Sequence, residues 1–152
     1  QECFDLVDSL GVSDIEFTGR VNVKEYLGRM DFTILTSISE GQPLTILESY
    51  AAHKPTIATD VGNCRELIYG NDDGFGAAGI LTHIMNLEEI AQAMIDLAID
   101  PEGREQMGEA GYKRVTSFYR IEQMKETYKE IYRRFAEEQQ VAWTEEPFQL
   151  KR

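Results

Sequence analysis

Between Phe32 and Glu48 a strand, a glycine turn and a helix start follow one another with almost no spare chain, and this stretch constrains the fold more than any other. The apolar run Phe32-Thr33-Ile34-Leu35 reads as a buried strand. Pro43 fits the first turn of a helix, where its missing N–H costs nothing. The free amides of that helix, from Leu44 and Thr45 onward, then point above the strand ends and make a ready anion site. Glu40 lies in the turn and Glu48 about a turn and a half into the helix, so on this reading both face one crevice. Carboxylates suit an anion site when they accept hydrogen bonds from hydroxyls of the same ligand. A sugar joined to a phosphate meets both demands.

Around this stretch the chain alternates strand and helix signals. Residues 2–10 carry apolar positions at 3, 6, 7 and 10, a helical stripe closed by Gly11. Residues 15–18 read as a strand ended by Gly19-Arg20, and residues 23–30 as a helix with Tyr26, Leu27 and Met30 inward. The strand 32–36 and helix 43–53 follow, then a strand at 56–59 opened by Pro55, a turn at 60–62, and a short helix at 63–69. Gly70 to Gly76 is a glycine- and Asx-rich surface loop, and residues 79–81 make the last strand. Asn86-Leu87-Glu88-Glu89 starts a helix as a capping box, with Leu87, Ile90, Ala91, Met94, Ile95 and Ala98 as its apolar stripe. Helices at 102–116 and about 120–138 complete the pattern. The stripe Ile121, Met124, Tyr128, Ile131, Tyr132 and Phe135 on the last of them reads as core packing, and Trp143 and Phe148 in the tail are able to dock. The expected domain is therefore 1–138, with a tail at 139–152. Its fold class is α/β: a Rossmann-like parallel sheet flanked by helices. Ligands in such sheets bind beyond the carboxyl ends of the strands. Gly19-Arg20 and Thr59-Asp60-Val61-Gly62 lie at that end, as does the opening stretch.

Length and charge narrow the partners. At 152 residues there is room for one core and not two. A net charge of −12 argues against nucleic acid or an anionic membrane surface as a general partner. No apolar run approaches the roughly 20 residues of a membrane span, and two cysteines make no disulfide framework, so a cytoplasmic, reducing setting is expected. His53 and His83 have no ligand at metal spacing, and no metal is expected. Cys64, although near a helix start, reads as an inert thiol, and Glu66 as a helix-dipole or salt-bridge acid.

The run Ser39-Glu40-Gly41-Gln42-Pro43-Leu44-Thr45-Ile46-Leu47-Glu48, with Lys54 to Ile68 behind it, resembles the C-terminal donor-binding half of family 4 retaining glycosyltransferases. These are GT-B enzymes that use nucleotide-diphosphate sugars. Gly19-Arg20-Val21-Asn22-Val23 and Asn63 to Gly70 are most similar to the PelF-like branch, an exopolysaccharide glycosyltransferase associated with UDP-glucose. The resemblance implies that Glu40 accepts hydrogen bonds from donor-sugar hydroxyls, as the catalytic-site acid. It implies that the amides around Gly41, Gln42, Pro43, Leu44 and Thr45 meet sugar or diphosphate, and that Glu48 takes both ribose hydroxyls. The turn at Arg20-Val21 would hold the base, mainly through main-chain atoms, with Arg20 equally readable as a solvated turn residue. No cofactor or metal is implied beyond the nucleotide sugar itself, and retention proceeds without a stable enzyme nucleophile.

Three departures qualify the resemblance. His53 stands where the family usually has a glycine in left-handed conformation, which histidine tolerates better than most residues. The family's basic pair for the diphosphate has no counterpart in these residues. The N-terminal acceptor domain is absent from the sequence, so the chain by itself is expected to be inactive. The family's sheet order, 3-2-1-4-5-6, makes residues 15–18 and 32–35 its third and fourth strands, without the two neighbours between them. Exposed or re-paired sheet edges follow, with homodimerisation or strand exchange as the remedy. Two other readings stand beside the transferase: a non-catalytic scaffold or interaction module on the same fold, and a GT-B sugar-nucleotide epimerase, which fits the motif poorly.

Overall fold

The computed structural model describes residues 2–141. Among them, β1 (Thr33–Leu35), β2 (Thr56–Thr59) and β3 (Gly79–Thr82) form a parallel sheet in that order, with Thr33 opposite Thr56 and Thr56 opposite Gly79. β2 is buried at every position, as a central parallel strand must be. Its side chains alternate between two layers. Ala58 joins Ile46, Tyr50, Cys64, Leu67 and Ile68 on one face, while Ile57 joins Ala93 and Leu97 on the other. The first layer is built by α3 (Leu44–Ala51), α4 (Cys64–Tyr69) and α6 (Pro101–Phe118), the second by α5 (Leu87–Ile99).

Two glycines set how closely α6 approaches α3. A Cβ at Gly108 would lie 2.2 Å from the His53 carbonyl oxygen, and one at Gly111 would lie 2.6 Å from the Tyr50 ring. Three hydroxyls between sheet and helix, those of Ser49, Thr33 and Thr56, are satisfied in series. Ser49 Oγ donates to the Lys54 carbonyl (3.0 Å), and Thr33 Oγ1 is 2.8 Å from both Ser49 Oγ and Thr56 Oγ1. Each hydroxyl has one proton. Because Ser49 commits its own to Lys54, Thr33 donates to Ser49 and Thr56 to Thr33.

α3 ends in a Schellman motif: Lys54 N–H donates to Ser49 O and His53 N–H to Tyr50 O, each at 3.0 Å. His53 takes the left-handed conformation (φ 56°) expected there. Its ring stacks on Tyr112 (centroids 3.8 Å apart), and Nδ1 lies 3.2 Å from Glu109. Arg114 of α6, 1% exposed, spends its donors on Asp73 and on the carbonyls of Leu67, Ile68 and Gly76, tying the 70–76 loop to the core.

Several expectations are corrected. Residues 15–18 form no strand: segment 11–22 is exposed throughout, and Phe17 packs locally on Phe4 of α1 (Glu2–Leu10), ring centroids 4.2 Å apart. A strand requires a ladder partner, and among the described residues none is presented to it. The apolar stripe of α1 is likewise uncovered. α2 (Val23–Leu27) stops at Gly28, with only single-turn bonds carrying on to Met30; Leu27 is buried. β1 is an edge strand, not a buried one: its far edge is unpaired among the described residues, and Ile34 is 41% exposed. Pro43 is the N-cap of α3, one residue before the first turn.

The inward face of α5 is Ala93 and Leu97, flanked by half-buried Ile90, so the helix is rotated from the expected stripe and Leu87, Met94 and Ile95 are exposed. Its capping box is half formed. Asn86 accepts from Glu89 N–H, whereas the Glu89 carboxylate turns to the backbone N–H and Nδ1 of His83. The stripe of α7 (Ile121–Glu138) is not core: from Ile121 (55%) to Phe135 (60%) it is exposed, and Ala136 is the buried position. Trp143 and Phe148 lie outside the described residues.

Candidate functional site

The carboxyl ends of β1 and β2 are joined through the turn that carries Glu40. Thr59 Oγ1, at the end of β2, donates to the Ser37 carbonyl at 2.5 Å. Ser37 Oγ in turn donates to Glu40 Oε1 at 2.7 Å. Beyond β2 the chain bends through Gly62 (φ 52°) and passes directly against the Glu40-Gly41 backbone. A Cβ at Gly62 would lie 2.1 Å from the Glu40 carbonyl oxygen, and Asn63 N–H donates to the Gly41 carbonyl at 2.9 Å. Asp60 N–H is held by Thr82 O at the end of β3, and the Asp60 side chain pairs with Arg65. Glu40 is thus half-buried on a turn braced from both sides. The sequence marked Glu40 and placed Gly62 at the same end of the sheet, but missed the role of Ser37 and the contact of Gly62 with the Glu40 backbone. A serine three residues before the acid, and a glycine in the next strand's turn, were the available signals.

Directly after this turn, Pro43 caps α3 without a side-chain acceptor, and no acidic residue occupies the first turn. The amides of Leu44, Thr45 and Ile46 have no intrahelical acceptor at such a position, and the positive end of the helix dipole is not offset by a carboxylate in its first turn. Glu48 is exposed one turn on. With Thr45 it borders a groove of about 450 Å3 that runs along the open edge of β1, past Ile34, Leu27 and Val23. Gln42 and Leu44 face the other way, across a cavity of about 530 Å3 toward Phe118, Tyr119 and Met124.

The expected site residues therefore divide into distinct settings. Glu40 and Gly41 sit on the braced turn, Thr45 and Glu48 on the β1 groove, and Gln42 and Leu44 on the opposite flank of α3. Glu40 does not line the groove that Glu48 lines. Arg20 and Val21 are on the exposed 11–22 segment, three and two residues from Val23, which does line it.

The surroundings are otherwise chemically quiet. Burial pushes the Cys64 thiol above its ordinary range, with the charges of Glu40 and Asp60 adding to the shift, so the helix start does not activate it. Tyr119 donates to Glu66 (3.3 Å), and burial raises its phenol to about 12. Glu66 thus has a hydrogen-bond partner in α6's C-cap residue. No cluster of three or more metal-ligating side chains occurs among the described residues, and none of their helices is long and apolar enough to cross a membrane.

An acceptor-only carboxylate on a braced turn, followed by uncapped helix amides and a second carboxylate, is suited to a ligand with both hydroxyls and negative charge. Comparison with known proteins bears on this. The chain is 33% identical over 129 residues to the N-acetyl-alpha-D-glucosaminyl L-malate synthase of Bacillus anthracis, covering 84% of this chain and 32% of that protein. Its structure is similar to sucrose-phosphate synthase from Thermosynechococcus elongatus (TM-score 0.78, 21% identity, 88% of this chain and 33% of that one). It is also similar to Anabaena Alr3699/HepE in complex with UDP (TM-score 0.72, 20% identity, 85% and 36%). At these identities the two structures bear on the fold alone, which is that of the C-terminal half of GT-B glycosyltransferases. The chain spans about a third of the length of the curated relatives it matches. Residues 1–100 match the family described as glycosyl transferases group 1, and the chain belongs to that family.

Proposed function

We propose that this chain is the donor-binding portion of a retaining glycosyltransferase, one that transfers a hexose, glucose from UDP-glucose, to a polysaccharide-type acceptor. The observation that carries the reading is the braced Glu40 turn running directly into the uncapped start of α3, with Glu48 one turn beyond. On this reading the helix amides take the diphosphate, Glu48 the ribose hydroxyls and Glu40 hydroxyls of the sugar. Family membership and the presence of UDP in the HepE structure support it. A nucleotide-sugar donor is consistent with work in the cytoplasm. Binding is the part of the reaction assigned to these residues; transfer requires groups from an acceptor domain. The family-4, PelF-like assignment belongs to the same proposal.

The rival, a non-catalytic interaction module, draws on one observation: the exposed apolar face of α7. Titrating the chain with UDP and UDP-glucose while following backbone amide shifts separates the two. The donor-site reading predicts shifts at 40–48, extending to 19–21 for the base. An unchanged spectrum at millimolar ligand would leave the interaction module as the better account.

A further inference from the structure

We infer that Ser37 is a positioning residue for Glu40 and, through it, makes the site distinguish a nucleotide sugar from the bare nucleotide. The inference rests on the donor-site reading above. A glutamate on a turn has free rotamers, and fixing them on ligand binding costs conformational entropy. Here the fixing is already done. The Ser37 hydroxyl holds Oε1 at 2.7 Å, while the Ser37 backbone is itself held by Thr59, whose side chain is buried at the end of β2. From the other side, Gly62 and Asn63 fix the Glu40-Gly41 backbone. A carboxylate offers about four lone-pair sites, so one bond to Oε1 leaves Oε2 as an aimed acceptor. An aimed acceptor matters only to a ligand that brings a hydroxyl to it. Glucose brings hydroxyls to that position and a terminal phosphate does not. Ser37 therefore contributes to the affinity for UDP-glucose and not to that for UDP.

The test measures the affinity of this chain for UDP and for UDP-glucose by calorimetry. The proteins compared are the wild type, Ser37→Ala, Ser37→Thr, Glu40→Ala and the Ser37→Ala/Glu40→Ala double variant, each with amide spectra confirming the fold. Ser37→Ala is expected to weaken UDP-glucose about tenfold, near the lower end of what a hydrogen bond to a charged group contributes. UDP affinity stays unchanged, Ser37→Thr restores UDP-glucose binding, and Ser37→Ala adds nothing once Glu40 is alanine. Equal loss for both ligands, or an effect that persists in the Glu40→Ala background, overturns the inference. So does wild-type UDP-glucose affinity in Ser37→Ala, which leaves the donor-site reading intact. A wild-type chain that binds neither ligand overturns both.

Discussion

Gly62→Ala probes the brace on which the site depends. The added Cβ would lie 2.1 Å from the Glu40 carbonyl oxygen and 2.8 Å from that of Gly41, and these are backbone atoms that cannot swing aside as a side-chain tip does. Retreat is also opposed by the Asn63–Gly41 hydrogen bond, which closes the same contact. Residue 62 moreover has φ 52°, a conformation costing alanine about 1–2 kcal/mol. Relieving the overlap adds about 1–3 kcal/mol, as overpacking does elsewhere. The sum is about 2–5 kcal/mol, or roughly 4–20 °C in Tm for a chain of this size. Gly41→Ala is the control: its Cβ would meet nothing within 4 Å, so its stability should change by less than about 0.5 kcal/mol. Thermal unfolding by circular dichroism reads both. Gly62→Ala melting within about 2 °C of wild type would refute the claim that the β2–α4 turn is pressed against Glu40-Gly41.

Other outcomes follow from the same contacts. Arg114 holds Asp73, whose carboxyl it keeps below the usual aspartate range, mainly through their hydrogen bonds. A depressed folded-state pKa means stability that is complete above the unfolded value, near 3.8, and lost as pH falls below it. A Tm–pH profile should show that acid loss, and Asp73→Asn should flatten it. Arg114→Met, which leaves Asp73 buried without its cation, should cost about 3–5 kcal/mol in denaturant titration. The open edge of β1 predicts self-association of this chain. Sedimentation should show a dimer that Ile34→Lys returns to monomer, and a wild type that stays monomeric at its highest soluble concentration contradicts this. Cys3 is exposed and Cys64 buried with a raised pKa, so iodoacetamide should label Cys3 alone until the chain unfolds, as mass spectrometry of the native protein would show.

What could be read in advance depended on how local its cause is. β2 was legible because Pro55 opens a short run of β-formers and Gly62 closes it. The end of α3 was legible because a helix end needs a left-handed residue, and His53 supplies it. The Asn86 cap is equally local. Residues 15–18 failed for the opposite reason: their pattern suits a strand, but pairing is decided by a neighbour the pattern does not contain. The α7 stripe failed similarly, since amphipathicity says that a face favours cover, not that the described residues supply it. Nothing in the sequence sets Arg114 apart within its helix, and only the tertiary structure brings Asp73 and three carbonyls around it. In the candidate site, Glu40 and Glu48 were visible because one motif carries both. The placement of Glu40 depends on Gly62, which reaches it only because β1 and β2 lie side by side.

The proposed site divides its labour over one ligand: helix amides for the diphosphate, carboxylates for the hydroxyls. Its most direct test is the affinity of the chain for UDP-glucose in the wild type and in Glu48→Ala. Weak wild-type binding that Glu48→Ala abolishes, with the fold intact, is the predicted result. Wild-type binding that survives Glu48→Ala unchanged, or no binding at millimolar UDP-glucose, contradicts it.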